Sequence, residues 1–129
     1  MNEREINLVN QLLEDKSFLH RLRVVSHWRS AKTYGMKLSD WTPMQWGCAL
    51  GGEVGELQNV VKKIERDGET PELILQAHDE AADVAIYLDL LCNRMGINLE
   101  EAIARKFNQD SQKRGFPISL EPTNQQEND

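Results

Sequence analysis

Between residues 43 and 66 the apolar positions Trp46, Leu50, Val54, Leu57, Val60, Val61 and Ile64 recur mostly at spacings of three and four, the period of one face of an α-helix. A second stretch, "DEAADVAIYLDLLC" at residues 79–92, is interrupted after Ala81 only by Asp83, Asp89 and the Tyr87 hydroxyl. Such all-round apolar character predicts a buried helix. Upstream, Leu8, Val9, Leu12 and Leu13 predict a short helix, and Phe18, Leu19, Leu22, Val25 and Trp28 a longer one. No segment alternates like a strand. Helix starts are marked by Thr42-Pro43-Met44-Gln45, Thr70-Pro71-Glu72 and Asn98-Leu99-Glu100-Glu101, which pair a capping side chain with first-turn residue types. Three helices are therefore expected to begin near 43, 71 and 99. Gly68, Gly96 and the Gly115-Phe116-Pro117 cluster mark their ends. The expected fold is all-α and four-helix-bundle-like with a short additional N-terminal helix. It forms one domain over residues 1–120, followed by a flexible acidic tail at 121–129, with one sizeable loop between Gly35 and Trp41.

Inside the first long helix the stretch "GCALGGEVGEL" at residues 47–57 carries Gly47, Gly51, Gly52 and Gly55 beside Glu53 and Glu56. An interior glycine costs a helix roughly 1 kcal/mol relative to alanine, so something must offset four of them. Gly47, Gly51 and Gly55 line a smooth strip where another backbone can pack closely. Glu53 and Glu56 fall at the edge of the apolar arc and among its members, so their carboxylates point inward. On the next helix Glu80, Asp83, Tyr87 and Arg94 share one stripe, because offsets of three, four and seven stack on a face. Helices joined by a short connection face each other, which brings four carboxylates together. A cationic group must offset them: arginines or lysines taken singly, or a divalent ion. Oxygen-only ligation selects hard ions, Mg²⁺ or Mn²⁺, over Zn²⁺.

Charge and composition narrow the function classes. The net charge of −6 and pI near 5.1 exclude a basic nucleic-acid grip. The charged start MNEREINLVN and the lack of a long apolar run predict a cytoplasmic protein without a membrane partner. Cys48 and Cys92 are expected to be buried thiols. His20, His27 and His78 show no ligand spacing. Gln45 caps its helix or reads a base edge. Trp28, Trp41 and Trp46 either join the core or stack on a base.

On "GEVGEL", "DEAADVAIYLDLL", "GINLEEAIARKFN" and the serine before "KRGFP", the chain from about Trp28 to Leu120 resembles the MazG-like all-α nucleoside triphosphate pyrophosphohydrolases. These are relatives of the dCTP pyrophosphatases and the dimeric all-α dUTPases. The resemblance implies that Glu53, Glu56, Glu80 and Asp83 hold Mg²⁺, with Tyr87, Lys106 and Asn108 on phosphates or sugar and Trp28 and Lys32 lining the nucleotide pocket. Many members carry a further glutamate where this chain has Gly52. The implied reaction is attack of a water, deprotonated by Glu53 or Glu56, on the α-phosphorus of a (d)NTP, giving a monophosphate and pyrophosphate. Lys63, Lys113 and Arg114 are further candidate substrate cations. The alternative is a nucleotide-binding or regulatory helical module without efficient hydrolysis. A third reading is a purely structural bundle whose acids pair with bases. The glycine strip and apolar helix surface predict a homodimer or homotetramer.

Overall fold

The computed structural model describes residues 1–122; most of the expected acidic tail, residues 123–129, lies outside them. The described residues form an all-α protein: α1 (Glu3–Leu13), α2 (Phe18–Thr33), α3 (Pro43–Asp67), α4 (Pro71–Arg94) and α5 (Leu99–Lys113), with a 3₁₀ turn at Leu38–Asp40. None of these helices is long and apolar enough to cross a membrane. The helices group into two compact units, one of residues 37–95 and one of residues 1–36 with those from 96 onward.

The first of these units is a helical hairpin. The α3 N-terminus closes through a reciprocal cap, in which Thr42 Oγ1 accepts from the Gln45 amide at 3.2 Å and Gln45 Oε1 accepts from the Thr42 amide at 2.9 Å. Gln45 is therefore spent on capping rather than turned to a ligand. Three residues, Gly68 to Thr70, connect the helices, with Gly68 at φ +92°, a backbone state that residues with a Cβ rarely adopt. Thr70 Oγ1 then accepts from Leu73 N at 3.2 Å and starts α4. Trp46 and Val60 are buried, and Leu50, Glu53, Leu57 and Ile64 half-buried. Together they trace a seam at alternating steps of four and three. On α4 the seam is Leu73, Ala77, Glu80, Val84, Tyr87 and Leu91, all half-buried.

This seam is narrower than the arc expected from the sequence. Val54 and Val61 are 37% and 50% exposed, because a single partner helix covers less than the broad stripe that a helix in a full core buries. The expectation that α4 is buried all round holds only from Ile86 to Arg94; Ala81, Ala82 and Ala85 stand exposed. Cys92 is buried but Cys48 is exposed, on the side of α3 away from the seam. The glycine strip is also open: a Cβ built at Gly47, Gly51 or Gly55 meets nothing within 4 Å. None of the described residues packs closely against it.

Ahead of α3, the 3₁₀ turn is fastened to the hairpin. Asp40 Oδ2 accepts from Lys37 N at 2.8 Å, Trp46 Nε1 donates to the Leu38 carbonyl at 3.0 Å, and Arg94 Nε donates to the Trp41 carbonyl at 2.9 Å. The Trp41 ring packs on Trp46 with centroids 4.7 Å apart, and Trp46 lies 6.5 Å from Tyr87.

In the other unit, Asn2 and Ser17 cap α1 and α2. Ser17 Oγ donates to Glu100 at 2.9 Å, and Arg23 donates to the Ile97 carbonyl. Val9, Ser26 and Ala104 are its buried residues. Replacing Thr42 with alanine removes one half of the α3 cap. It is expected to lower stability by about 1 kcal/mol in a denaturant titration, with Thr42→Ser close to wild type.

Candidate functional site

The seam positions of a two-helix hairpin are ordinarily apolar, because they face a partner across about 8–10 Å. Here α3 places Glu53 on its seam and α4 places Glu80 there, with Asp83 one turn further along α4. One oxygen from each of Glu53, Glu80 and Asp83 lies within 4.8 Å of the other two. Glu53 Oε2 and Glu80 Oε2 are buried atoms with no hydrogen-bond partner. A buried carboxylate oxygen without a donor carries the full cost of lost hydration. No lysine, arginine or histidine among the described residues forms an ion pair with any of the three. Arg94, which shares their stripe on α4, points its guanidinium to the Trp41 carbonyl instead.

Glu56, one turn beyond Glu53, stands exposed outside the group of three. It nevertheless acts on both seam acids. The Glu53 carboxyl is pushed above its ordinary value by loss of hydration, then by the charges of Glu56 and Asp83 and contact with Glu56. Glu80 is raised in the same order, by lost hydration and then by Glu56 and Asp83. The four acids expected from the sequence are therefore together, three as a compact group and the fourth on its rim. Three carboxylate oxygens this close form a group that could hold a metal ion. The donor set is all carboxylate, which suits Mg²⁺ or Mn²⁺.

Tyr87 stands one turn after Asp83 with its ring near Trp46. Lys63 is half-buried beyond the acids; the Asp67 carboxyl nearby is lowered first by its hydrogen bond with Arg66 and only last by the Lys63 charge. The remaining expected substrate contacts belong to the other unit, where each has a partner of its own or stands exposed. Lys32 Nζ sits 5.7 Å over the Trp28 ring and pairs with Glu5 at 3.2 Å. Lys106 pairs with Asp110 at 2.7 Å. Asn108 grips the Leu120 backbone from both sides, donating to its carbonyl at 2.8 Å and accepting from its amide at 2.7 Å. Lys113 and Arg114 are exposed where α5 ends, and Arg114 lines a hollow with Phe107 and Phe116. The exposed pairs of Lys32 and Lys106 are worth little and exchange readily with water or another anion. Asn108 is different, because its amide is fully engaged in holding the chain that follows α5.

Sequence reasoning missed the fastening of Trp41 by Arg94 and the full burial of Asp89, which is 1% exposed. Arginine at a helix end gives no sequence sign that its acceptor is a backbone carbonyl 53 residues away. Comparison with family models, curated proteins and solved structures finds no match for this chain.

The raised carboxyls make metal-free stability depend on pH in a defined direction. Between the ordinary carboxylate range and their raised values, the folded chain holds more protons at Glu53 and Glu80 than the unfolded chain does, so their contribution to stability falls as pH rises through that window. Glu80→Gln is thus expected to melt higher than wild type at neutral pH without metal, with the gap closing below about pH 4. Thermal melts across pH, run in chelator, check this.

Proposed function

We propose that this chain is a divalent-metal-dependent nucleoside triphosphate pyrophosphohydrolase of the MazG-like all-α kind, converting a (d)NTP to the monophosphate and pyrophosphate. The observation that carries the reading is the group of Glu53, Glu80 and Asp83, with two buried oxygens, Glu53 Oε2 and Glu80 Oε2, that have no hydrogen-bond partner among the described residues. The sequence resemblance supplies the reaction, and the physical chemistry of the site agrees with it. A triphosphate is strongly anionic and is repelled by an acidic cluster unless a cation lies between them. Glu53, Glu80 and Asp83 are the residues that would hold Mg²⁺, with Mn²⁺ as a substitute. The ion, when bound, supplies Lewis acidity toward phosphate oxygens and acidifies a bound water.

Glu56 is the general base in this reading. It lies on the rim of the group, outside the three whose oxygens converge, and is exposed, so it can reach solvent water and pass the proton on. The water oxygen attacks the α-phosphorus, its proton passes to Glu56, and the bond from the α-phosphorus to the bridging oxygen breaks to release pyrophosphate. No covalent intermediate is needed. Tyr87, Trp28, Lys32, Lys106 and Asn108 enter as substrate contacts through the resemblance, and Lys63, Lys113 and Arg114 as further candidate cations. Asn108 serves only if the Leu120 backbone lets go of its amide.

The working unit is a homodimer or homotetramer. On α3, Met44 is exposed on the outer side with Gly51 and Gly55, Val54 and Val61 are exposed on the flank between that side and the seam, and the space next to the glycines is open. An apolar face with no side chain to keep a second backbone away is suited to helix packing between copies.

Purified protein with Mg²⁺ is expected to release pyrophosphate from at least one member of a panel of NTPs and dNTPs. Glu53→Gln and Asp83→Asn should each lose at least about 100-fold in turnover, since removing even a supporting partner of a metal ligand costs 10- to 100-fold. Circular dichroism should stay unchanged. A panel with no pyrophosphate released, or variants of full activity, removes the reading. Sedimentation is expected to show a dimer or larger species at micromolar concentration. Gly51→Leu, which fills the strip, should shift it toward monomer without loss of helicity.

A further inference from the structure

Asp67 is the only aspartate or asparagine in the chain that is followed by a glycine. The pair sits where α3 ends and the connection to α4 begins. A glycine nitrogen is the least hindered backbone nucleophile a preceding carboxyl can meet, because no Cβ stands beside it. Both residues are exposed, and among the described residues nothing lies within 4 Å of a Cβ built at Gly68. The Gly68 amide donates to the Ile64 carbonyl at 2.9 Å, within the terminal turn of the helix, which opens more readily than its interior.

Arg66 works against the encounter. Its Nε and Nη2 donate to Asp67 Oδ1 and Oδ2 at 2.7 and 2.6 Å, a fork that engages both oxygens of the carboxylate. That hydrogen bonding holds the Asp67 carboxyl below its ordinary value, and the charges of Arg66 and then Lys63 add to it. An ionised carboxylate resists attack by an amide nitrogen, whereas a protonated carboxyl can release its hydroxyl as water. Gripped at both oxygens, the group is also less free to swing its carbon toward Gly68. The Arg66 and Asp67 side chains are nevertheless 65% and 50% exposed, so water competes for the pair and it opens readily. The restraint is therefore partial.

We infer that the Asp67-Gly68 bond is a site of spontaneous isomerisation to isoaspartate, and that the Arg66 fork sets how slowly it proceeds. When the fork and the terminal helical hydrogen bond open together, the Gly68 nitrogen bonds to Asp67 Cγ. The carboxyl hydroxyl departs with the amide proton as one water and leaves a five-membered succinimide. One water then adds back. Breaking the new bond between Cγ and nitrogen restores aspartate; breaking the original bond between the Asp67 main-chain carbonyl carbon and nitrogen routes the chain through the side chain. The product has the composition of the starting chain, and water is the only co-reactant. It carries one additional methylene in the main chain, directly before the three residues that connect α3 to α4. The change thus falls on the element that sets the phase of the two helices.

The test is prolonged incubation of the full chain at neutral pH in ¹⁸O-enriched water, followed by peptide mapping. Each passage through the succinimide writes one solvent oxygen into residue 67, and electron-transfer fragmentation separates isoaspartate from aspartate. Residue 67 is expected to gain label and isoaspartate faster than any other aspartate. Arg66→Gln should speed both about two- to fivefold, the range set by loss of one exposed ion pair. Arg66→Lys, which keeps the charge without the fork, should fall between. High salt screens an exposed pair, so it should move the wild-type rate toward that of Arg66→Gln, a readout that needs no variant to fold. Label at residue 67 no greater than at Asp15, Asp40 or Asp110 overturns the site. Equal rates in wild type and Arg66→Gln at unchanged helicity overturn the role of the fork; should that variant lose helicity, the salt series decides.

Discussion

Glu53 and Glu80 face each other across a helix pair at positions where the pattern calls for hydrocarbon, and the rest of the hairpin is arranged around that conflict. On one side of them along the seam lie Leu57, Val60 and Ile64 against Leu73 and Ala77; on the other lie Trp46 and Leu50 against Val84, Tyr87 and Leu91. These apolar layers hold the helices together and deny the two carboxylates the water they would otherwise recruit. Asp83 and Glu56 add charge nearby, so the local field favours anything that brings protons or positive charge. Two states would relieve it: protonation, toward which both carboxyls are shifted, or a bound cation. In the proposed metal-bound state a divalent ion would relieve more, because it would answer all three oxygens at once while each proton answers only one.

Placing those acids on the seam is a matter of helix phase. Each residue turns 100°, so a one-residue slip in either helix would carry Glu53 or Glu80 off the seam and into solvent. The devices that fix the phase are local: the reciprocal Thr42–Gln45 cap, the left-handed Gly68 in a three-residue connection, and Thr70 at the start of α4. A hairpin set by such short-range features needs few distant contacts to find its register. The site is assembled from residues 53 to 83 of one continuous segment, and the geometry of the acids belongs to that segment.

For the same reason much of this was legible in the chain itself. Caps and stop signals are local chemistry, and the helices begin at Pro43, Pro71 and Leu99, as Thr42, Thr70 and Asn98 predict. The convergence of Glu53, Glu80 and Asp83 follows from period and a short connection alone. What escaped the sequence is what depends on which surface covers which. A helical projection assigns Val54 and Val61 an angle and cannot say how wide a stripe the partner buries. It places Arg94 on the stripe of the acids but is silent about a competing carbonyl at Trp41. Cys48 and Ala85 read as core by residue type, yet their exposure is decided by the side of the helix they occupy. Asn108 looks free in a string of letters, and only the path of the chain after α5 brings Leu120 back to it.

In the proposed oligomer the glycines of α3 would tie the acids to assembly. Each lowers the intrinsic stability of the helix by roughly 1 kcal/mol relative to alanine. Among the described residues nothing lies within 4 Å of a Cβ built at Gly51, Gly52 or Gly55, so they do not offset this cost by packing there. It falls on the very turns that carry Glu53 and Glu56, where mutual repulsion of the acids already strains the helix pair. A helix weakened twice at one place persists best when its outer side is pressed against a second backbone, which absence of side chains permits, and its inner side is closed around a cation. In that proposed assembly the two faces of α3 would be energetically linked: packing at the glycines would steady the turns that aim the carboxylates, and filling the acidic group would steady the surface on which copies meet. Ligand binding and self-association would then strengthen each other by equal amounts, as linkage requires of two events that favour the same folded state.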